Sequence, residues 1–133
     1  MHNESETSIR TDADIVIARR AGRDIAASLE FSATDQVLIA TVISELARNI
    51  LMYARQGEIV VDRIYDNGRK GLVVGARVHG PGIDDVGKAL EIGYSTSGGL
   101  GLGLPGVRRL MDEFEISSRT NDGTTVTVRK WHS

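Results

Sequence analysis

The chain reads as an α+β protein: a two-layer sandwich in which an antiparallel sheet carries helices on one face. Three observations predict it. Apolar residues recur at three- and four-residue steps from Ile15 to Leu51. The period then changes, and two β-branched runs, Glu58 to Tyr65 and Gly71 to Val78, flank an Asn67-Gly68 turn. A second pair of strands closes the chain around Asn121-Asp122-Gly123. Helices followed by hairpins fit this architecture better than a doubly wound parallel sheet, which alternates strand with helix.

With 133 residues and 41% hydrophobic residues, the chain is expected to form one domain with a single core. A net charge of -2 leaves no basic footprint for nucleic acid. There are no cysteines, which excludes a disulfide framework and thiol chemistry and suits the cytoplasm. No apolar run approaches the ~20 residues of a membrane span. Met1 to Thr7 is polar, unlike a signal peptide, and reads as a frayed arm.

The elements follow in order. Ser8 to Arg10 can form a short strand. Thr11 or Asp12 can cap a helix running to about Leu29, with Ile15, Ala18, Ala21, Ile25 and Leu29 on one face. Ser32 or Thr34 restarts a helix that reaches about Arg55, with a buried stripe of Val37, Ala40, Ile43, Leu46, Ala47, Ile50 and Leu51 and with Gly57 placed to end it. The hairpin comes next, and His79-Gly80-Pro81-Gly82 breaks its second strand. Asp84 to Ile92 can form a short helix, and Pro105 suits the first turn of another that runs to about Asp112. Phe114 to Arg119 and Thr124 to Lys130 are the last strands.

Three constellations carry chemistry. In Glu45-Leu46-Ala47-Arg48-Asn49 the four-residue step puts Glu45 and Asn49 on one helix face. A carboxylate beside an amide oxygen can set a general base next to a Mg²⁺ ligand, since Mg²⁺ takes few protein oxygens and keeps water and phosphate oxygens. Alone, the same pattern reads as a solvated helix face. Gly80-Pro81-Gly82 ends a strand, and alone it is an ordinary turn. Ser95 through Gly106 holds five glycines between residues 98 and 106, alternates them with leucine and leads into a helix N-terminus, a natural place for phosphate. Without its neighbours it could be a mobile loop. It lacks the lysine of a P-loop. Gly101-x-Gly103-x-x-Gly106 matches the dinucleotide fingerprint literally, but Tyr94-Ser95-Thr96-Ser97-Gly98 stands where that motif needs an apolar strand.

Taken together, and in this order with Gly123-Thr124-Thr125 in the last hairpin, these motifs resemble the GHKL family of gyrase, heat-shock chaperone ATPases, histidine kinases and MutL. The likeness is closer to its small bacterial branch, the anti-sigma and switch serine kinases. It extends over Glu45 to Ile50, Gly93 to Gly106, Arg109 to Phe114 and Lys130-Trp131, and so over essentially the whole chain.

The resemblance implies a Bergerat-type ATP-binding fold and a protein serine/threonine kinase using ATP and Mg²⁺. Asn49 would hold the Mg²⁺ that bridges the phosphates, and Glu45 would be the general base toward the accepting hydroxyl. Gly80 and Gly82 would admit the adenine side, and Thr124 or Thr125 would lie near it. Ser95, Thr96, Gly101, Leu102, Gly103 and Leu104 would belong to a lid over ATP, ordered by the γ-phosphate. The implied partners are STAS-domain scaffold or antagonist proteins of a stressosome-type pathway and a PP2C-type phosphatase, with no nucleic acid or membrane involved.

One departure stands out. The family motif Asp-x-Gly-x-Gly places an aspartate on the adenine amino group, whereas here the nucleotide-site position is Val78. Losing that acceptor costs roughly 1–3 kcal/mol, about 5- to 150-fold in affinity. The substitution is deliberate, or marks a natural loss of catalysis, or is offset by water or His79; strand alternation turns His79 to the other face. The leading expectation is a kinase. The alternative is a module impaired in nucleotide binding that acts only through protein contacts, and a dinucleotide-binding protein ranks below both.

Overall fold

The computed structural model describes residues 5–79, 103–119 and 123–132. In chain order these form β1 (Ser5–Ile9), α1 (Asp12–Ser28), α2 (Ala33–Tyr53), β2 (Gly57–Asp66), β3 (Arg69–Val78), α3 (Gly103–Leu110), β4 (Glu113–Arg119) and β5 (Gly123–Trp131). The strands make one antiparallel sheet in the order β1-β2-β3-β5-β4. The predicted α+β sandwich is the observed one.

Local chemistry sets the helix ends. Asp14, in the first turn of α1, accepts hydrogen bonds from the backbone N–H groups of Arg10 (2.9 Å) and Thr11 (3.0 Å), which hold its carboxyl below the usual range. Ser32 caps α2, its hydroxyl accepting from the Asp35 N–H at 3.1 Å. Helix α2 stops at Tyr53 because Arg55 turns into the left-handed region, with φ of 71°. The expectation that Gly57 ends this helix is therefore corrected: Gly57 opens β2, paired with Ile9, where an added Cβ would meet the Arg77 carbonyl.

The β2–β3 hairpin turns on Asn67 and Gly68, both at positive φ (52° and 80°), as a tight hairpin turn requires. The polar N-terminus is a second correction. Residues 5–7 are not frayed but extend β1, pairing Ser5 with Val61 and Thr7 with Ile59. Edge pairing satisfies that backbone, and Ile9 is fully buried at the strand's end. Helix α3 begins at Gly103, so Gly103 and Leu104 are helical rather than part of a loop, and Pro105 falls inside the first turn. The predicted helix over 84–92 lies outside the described residues.

Alternate strand residues face the helices. Ile59 and Val61 of β2, Leu72, Val74 and Ala76 of β3, and Val126 and Val128 of β5 join Ile39, Val42, Ile43, Leu46, Ala47 and Ile50 of α2 in one core. Val107 and Met111 close it from the α3 side. Three positions of the predicted helix stripes differ, among them Leu51, which is half-buried. Val37 is 52% exposed, and on α1 the buried position is Gly22, beside a half-buried Ala21. An added Cβ on Gly22 would meet Ile43 Cδ1 at 2.0 Å, so the absence of a side chain lets α1 approach α2. The opposite sheet face carries Asp62, Arg77, Thr125 and Thr127 around Val60, Val73 and Gly75.

Candidate active site

The helix α2 supplies Glu45 and Asn49 from one flank of its buried stripe. Neither lies on a wet face. Glu45 is 3% exposed, and Asn49 is half-buried, with an amide Nδ2 that is buried and has no hydrogen-bond partner. A buried donor without a partner costs about 1–3 kcal/mol, so the position is maintained against stability. Arg48 donates from Nη1 to Glu45 Oε1. Arg48 had no place in the sequence-based reading; its three-residue step from Glu45 was the available signal.

The sheet supplies Val78 and Thr124, which are paired across β3 and β5. Both lie on the face shared with Ala76 and Val126. Val78 packs against the core that α2 also lines, and Thr124 is 6% exposed. Thr125 points the other way, beside Arg77, so of the two candidate threonines Thr124 faces the helix side. At the mouth of this pair Gly123 has φ of 94°, and an added Cβ would lie 2.0 Å from the Val78 carbonyl oxygen. The close approach of β5 to the end of β3 thus needs glycine.

His79 leaves β3 on the opposite face. Its Nε2 lies 2.7 Å from Glu58 Oε1, and the imidazole is the largest cause that holds the Glu58 carboxyl below the usual range. Glu58 also bonds Glu6, whose carboxyl is raised by that contact. This cluster lies away from the Val78 side. Val78 and Thr124 thus lie on the sheet face that carries the helices, and Glu45 and Asn49 lie on α2, while Gly103 and Leu104 belong to α3, which packs on α2. Gly80, Gly82, Ser95, Thr96, Gly101 and Leu102 lie outside the described residues.

The donor set bears on a metal. Among the described residues no three His, Cys, Asp or Glu side chains cluster as a metal cage. One amide oxygen, that of Asn49, beside the buried Glu45 carboxylate instead suits a cation that draws most of its ligands from phosphate and water, as Mg²⁺ does, whereas the unpartnered Nδ2 is a donor and suits a phosphate or water oxygen. The residues present fit that group.

Comparison with known proteins places the chain in a class. Residues 34–132 match the family described as histidine kinase-, DNA gyrase B- and HSP90-like ATPases. The chain belongs to that family. Within it the chain is RsbT-like. It is 51% identical over 131 residues to the serine/threonine-protein kinase RsbT of Bacillus subtilis (strain 168), covering 98% of each chain. It is 31% identical over 99 residues to the anti-sigma F factor of Anoxybacillus flavithermus (strain DSM 21510 / WK1), covering 69% of this chain and 66% of that one. A chain in the solved SiaB-SiaC complex from Pseudomonas aeruginosa shares the fold, with a TM-score of 0.55 at 14% identity over 97% of this chain and 90% of the other. The expected ATP-binding serine/threonine kinase of the GHKL class is thus the class found. No helix among the described residues is long and apolar enough to cross a membrane.

Proposed function

We propose that the chain transfers the γ-phosphoryl group of Mg·ATP to a serine or threonine hydroxyl of a STAS-domain partner and, when released from it, binds and activates a PP2C-type phosphatase in a cytoplasmic stress-signalling pathway. The observation that carries the catalytic part is the buried Glu45 carboxylate, one helical turn from Asn49, in a chain half identical to a protein kinase. The partner classes rest on the resemblance to the anti-sigma and switch-kinase branch.

In this reading Glu45 accepts the proton of the attacking hydroxyl, which needs a base within hydrogen-bond reach. Asn49 offers an oxygen to the cation. Bound Mg²⁺ would neutralise charge on the phosphates, the main requirement of phosphoryl transfer. Thr124 and Val78 would line the adenine end, which Gly80 and Gly82 would let the backbone approach, and the segment from Ser95 to Leu102 would serve as the lid over ATP.

Val78 favours a second reading, in which the chain serves mainly as a protein-binding switch. Valine offers no acceptor to an adenine amino group, and His79 is occupied by Glu58 on the other face. Calorimetric titration with Mg·ATP of the chain beside its Val78→Asp form tests the pocket: the aspartate should tighten binding about 5- to 150-fold. No gain sinks the assignment of Val78 to the adenine site. Phosphate transfer to a purified STAS-domain protein at full rate with Val78 in place removes the switch-only reading. Capture of the STAS protein without transfer supports it.

A further inference from the structure

We infer that Arg48 is a positioning residue for phosphoryl transfer, fixing the Glu45 carboxylate from the solvent side of α2. The inference rests on the reading of Glu45 as the base. The contact is an ion pair at the three-residue helical step, Nη1 to Oε1. Its two ends differ sharply: the Arg48 side chain is 43% exposed and the Glu45 side chain only 4%. Another i,i+3 pair of the protein, Arg69 with Asp66, is over half exposed at both ends and 3.5 Å long, the kind of pair that contributes little. A carboxylate withdrawn from water, in contrast, must be paired.

Among the described residues Arg48 makes no hydrogen bond other than the one to Glu45. Glutamate carries three side-chain torsions, so an unheld carboxylate would sample several rotamers. A base displaced by even 1 Å loses rate steeply, up to about 100-fold. Arg48 engages Oε1, which leaves the second oxygen for a hydroxyl. Lysine would keep the charge but lose the planar fork.

Crystal structures of the Arg48→Gln and Arg48→Lys proteins read the positioning directly. The Glu45 carboxylate should leave its place, or split between rotamers, in Arg48→Gln and stay in Arg48→Lys. In parallel, transfer of label from γ-labelled Mg·ATP to a purified STAS-domain acceptor should show kcat about 10-fold lower for Arg48→Gln, with KM for ATP unchanged within about twofold and partial recovery in Arg48→Lys. Adding Arg48→Gln to Glu45→Gln should slow the reaction no further. An unmoved carboxylate in Arg48→Gln overturns the inference even where Glu45→Gln is inactive. A Glu45→Gln protein that turns over at the unmodified rate overturns the base assignment instead, whatever the crystals show of the carboxylate.

Discussion

Gly123 and Val78 touch through their backbones: a Cβ on Gly123 would stand 2.0 Å from the Val78 carbonyl oxygen, at a φ of 94° that disfavours any side chain. Strand and proposed nucleotide pocket would share this contact, since Val78 pairs with Thr124 next in line. Gly123→Ala should therefore lose about 1–3 kcal/mol of stability in urea unfolding. It should also weaken Mg·ATP binding beyond what unfolding explains, measured by calorimetry well below the melting temperature.

Asn49 trades stability for its site. Its buried, unpaired Nδ2 means that Asn49→Leu, branched at the same carbon and half-exposed enough to take the larger methyls, should stabilise the free protein by about 1–2 kcal/mol. The same change should abolish the dependence of ATP binding on Mg²⁺. Denaturant titration and calorimetry with and without Mg²⁺ check the two halves. A destabilised Asn49→Leu protein would show that the amide is satisfied in solution.

The α1–α2 crossing is tight at Gly22. Alanine there gains up to about 1 kcal/mol of helix propensity but forces the end of Ile43 aside, and overpacking costs about 1–3 kcal/mol. Gly22→Ala should be destabilising by about 1 kcal/mol. Removing Cδ1 with Ile43→Val in the same chain should restore most of that loss, a coupling that a double-mutant cycle in urea measures.

Stability should also respond to pH through Glu6. Its carboxyl is raised above the ordinary glutamate range, chiefly by its hydrogen bond to Glu58. A raised carboxyl stabilises the fold below its unfolded value and loses that contribution as pH rises through the folded one. Glu6→Gln should thus raise the melting temperature at pH 7 and leave it nearly unchanged at pH 4. The two carboxyls titrate as a pair, so Glu58→Gln should move the apparent midpoint of Glu6 back toward its ordinary value, read by NMR.

Much of this was legible in order along the chain. Strong periodicity set α1, α2 and the hairpin to within a few residues, because each buries a full face. β1 escaped because Ser5, Glu6, Thr7 and Ser8 carry no apolar alternation; pairing with β2 creates that strand. The end of α2 was misplaced because an arginine took the left-handed turn that glycine usually marks. For the site, spacing alone put Glu45 beside Asn49. Their burial was not legible, nor was the Glu6–Glu58–His79 cluster, which three strands assemble from distant positions. Tertiary packing, rather than local sequence, turns a solvated-looking helix face into a buried acid and amide.

The strand order leaves β1 and β4 as the two rims of the sheet. A rim exposes backbone groups that a second molecule can anneal to. Here the rims carry acid: Glu6 on β1, and Glu113 and Glu115 on β4. Charge neutralisation at Glu6, which relieves crowding against Glu58, also strips β1 of its one charged side chain. The acid that lowers the protein's stability is thus also a guard on its colloidal behaviour, and concentrated solutions of the neutralised form should be the first to associate edge to edge.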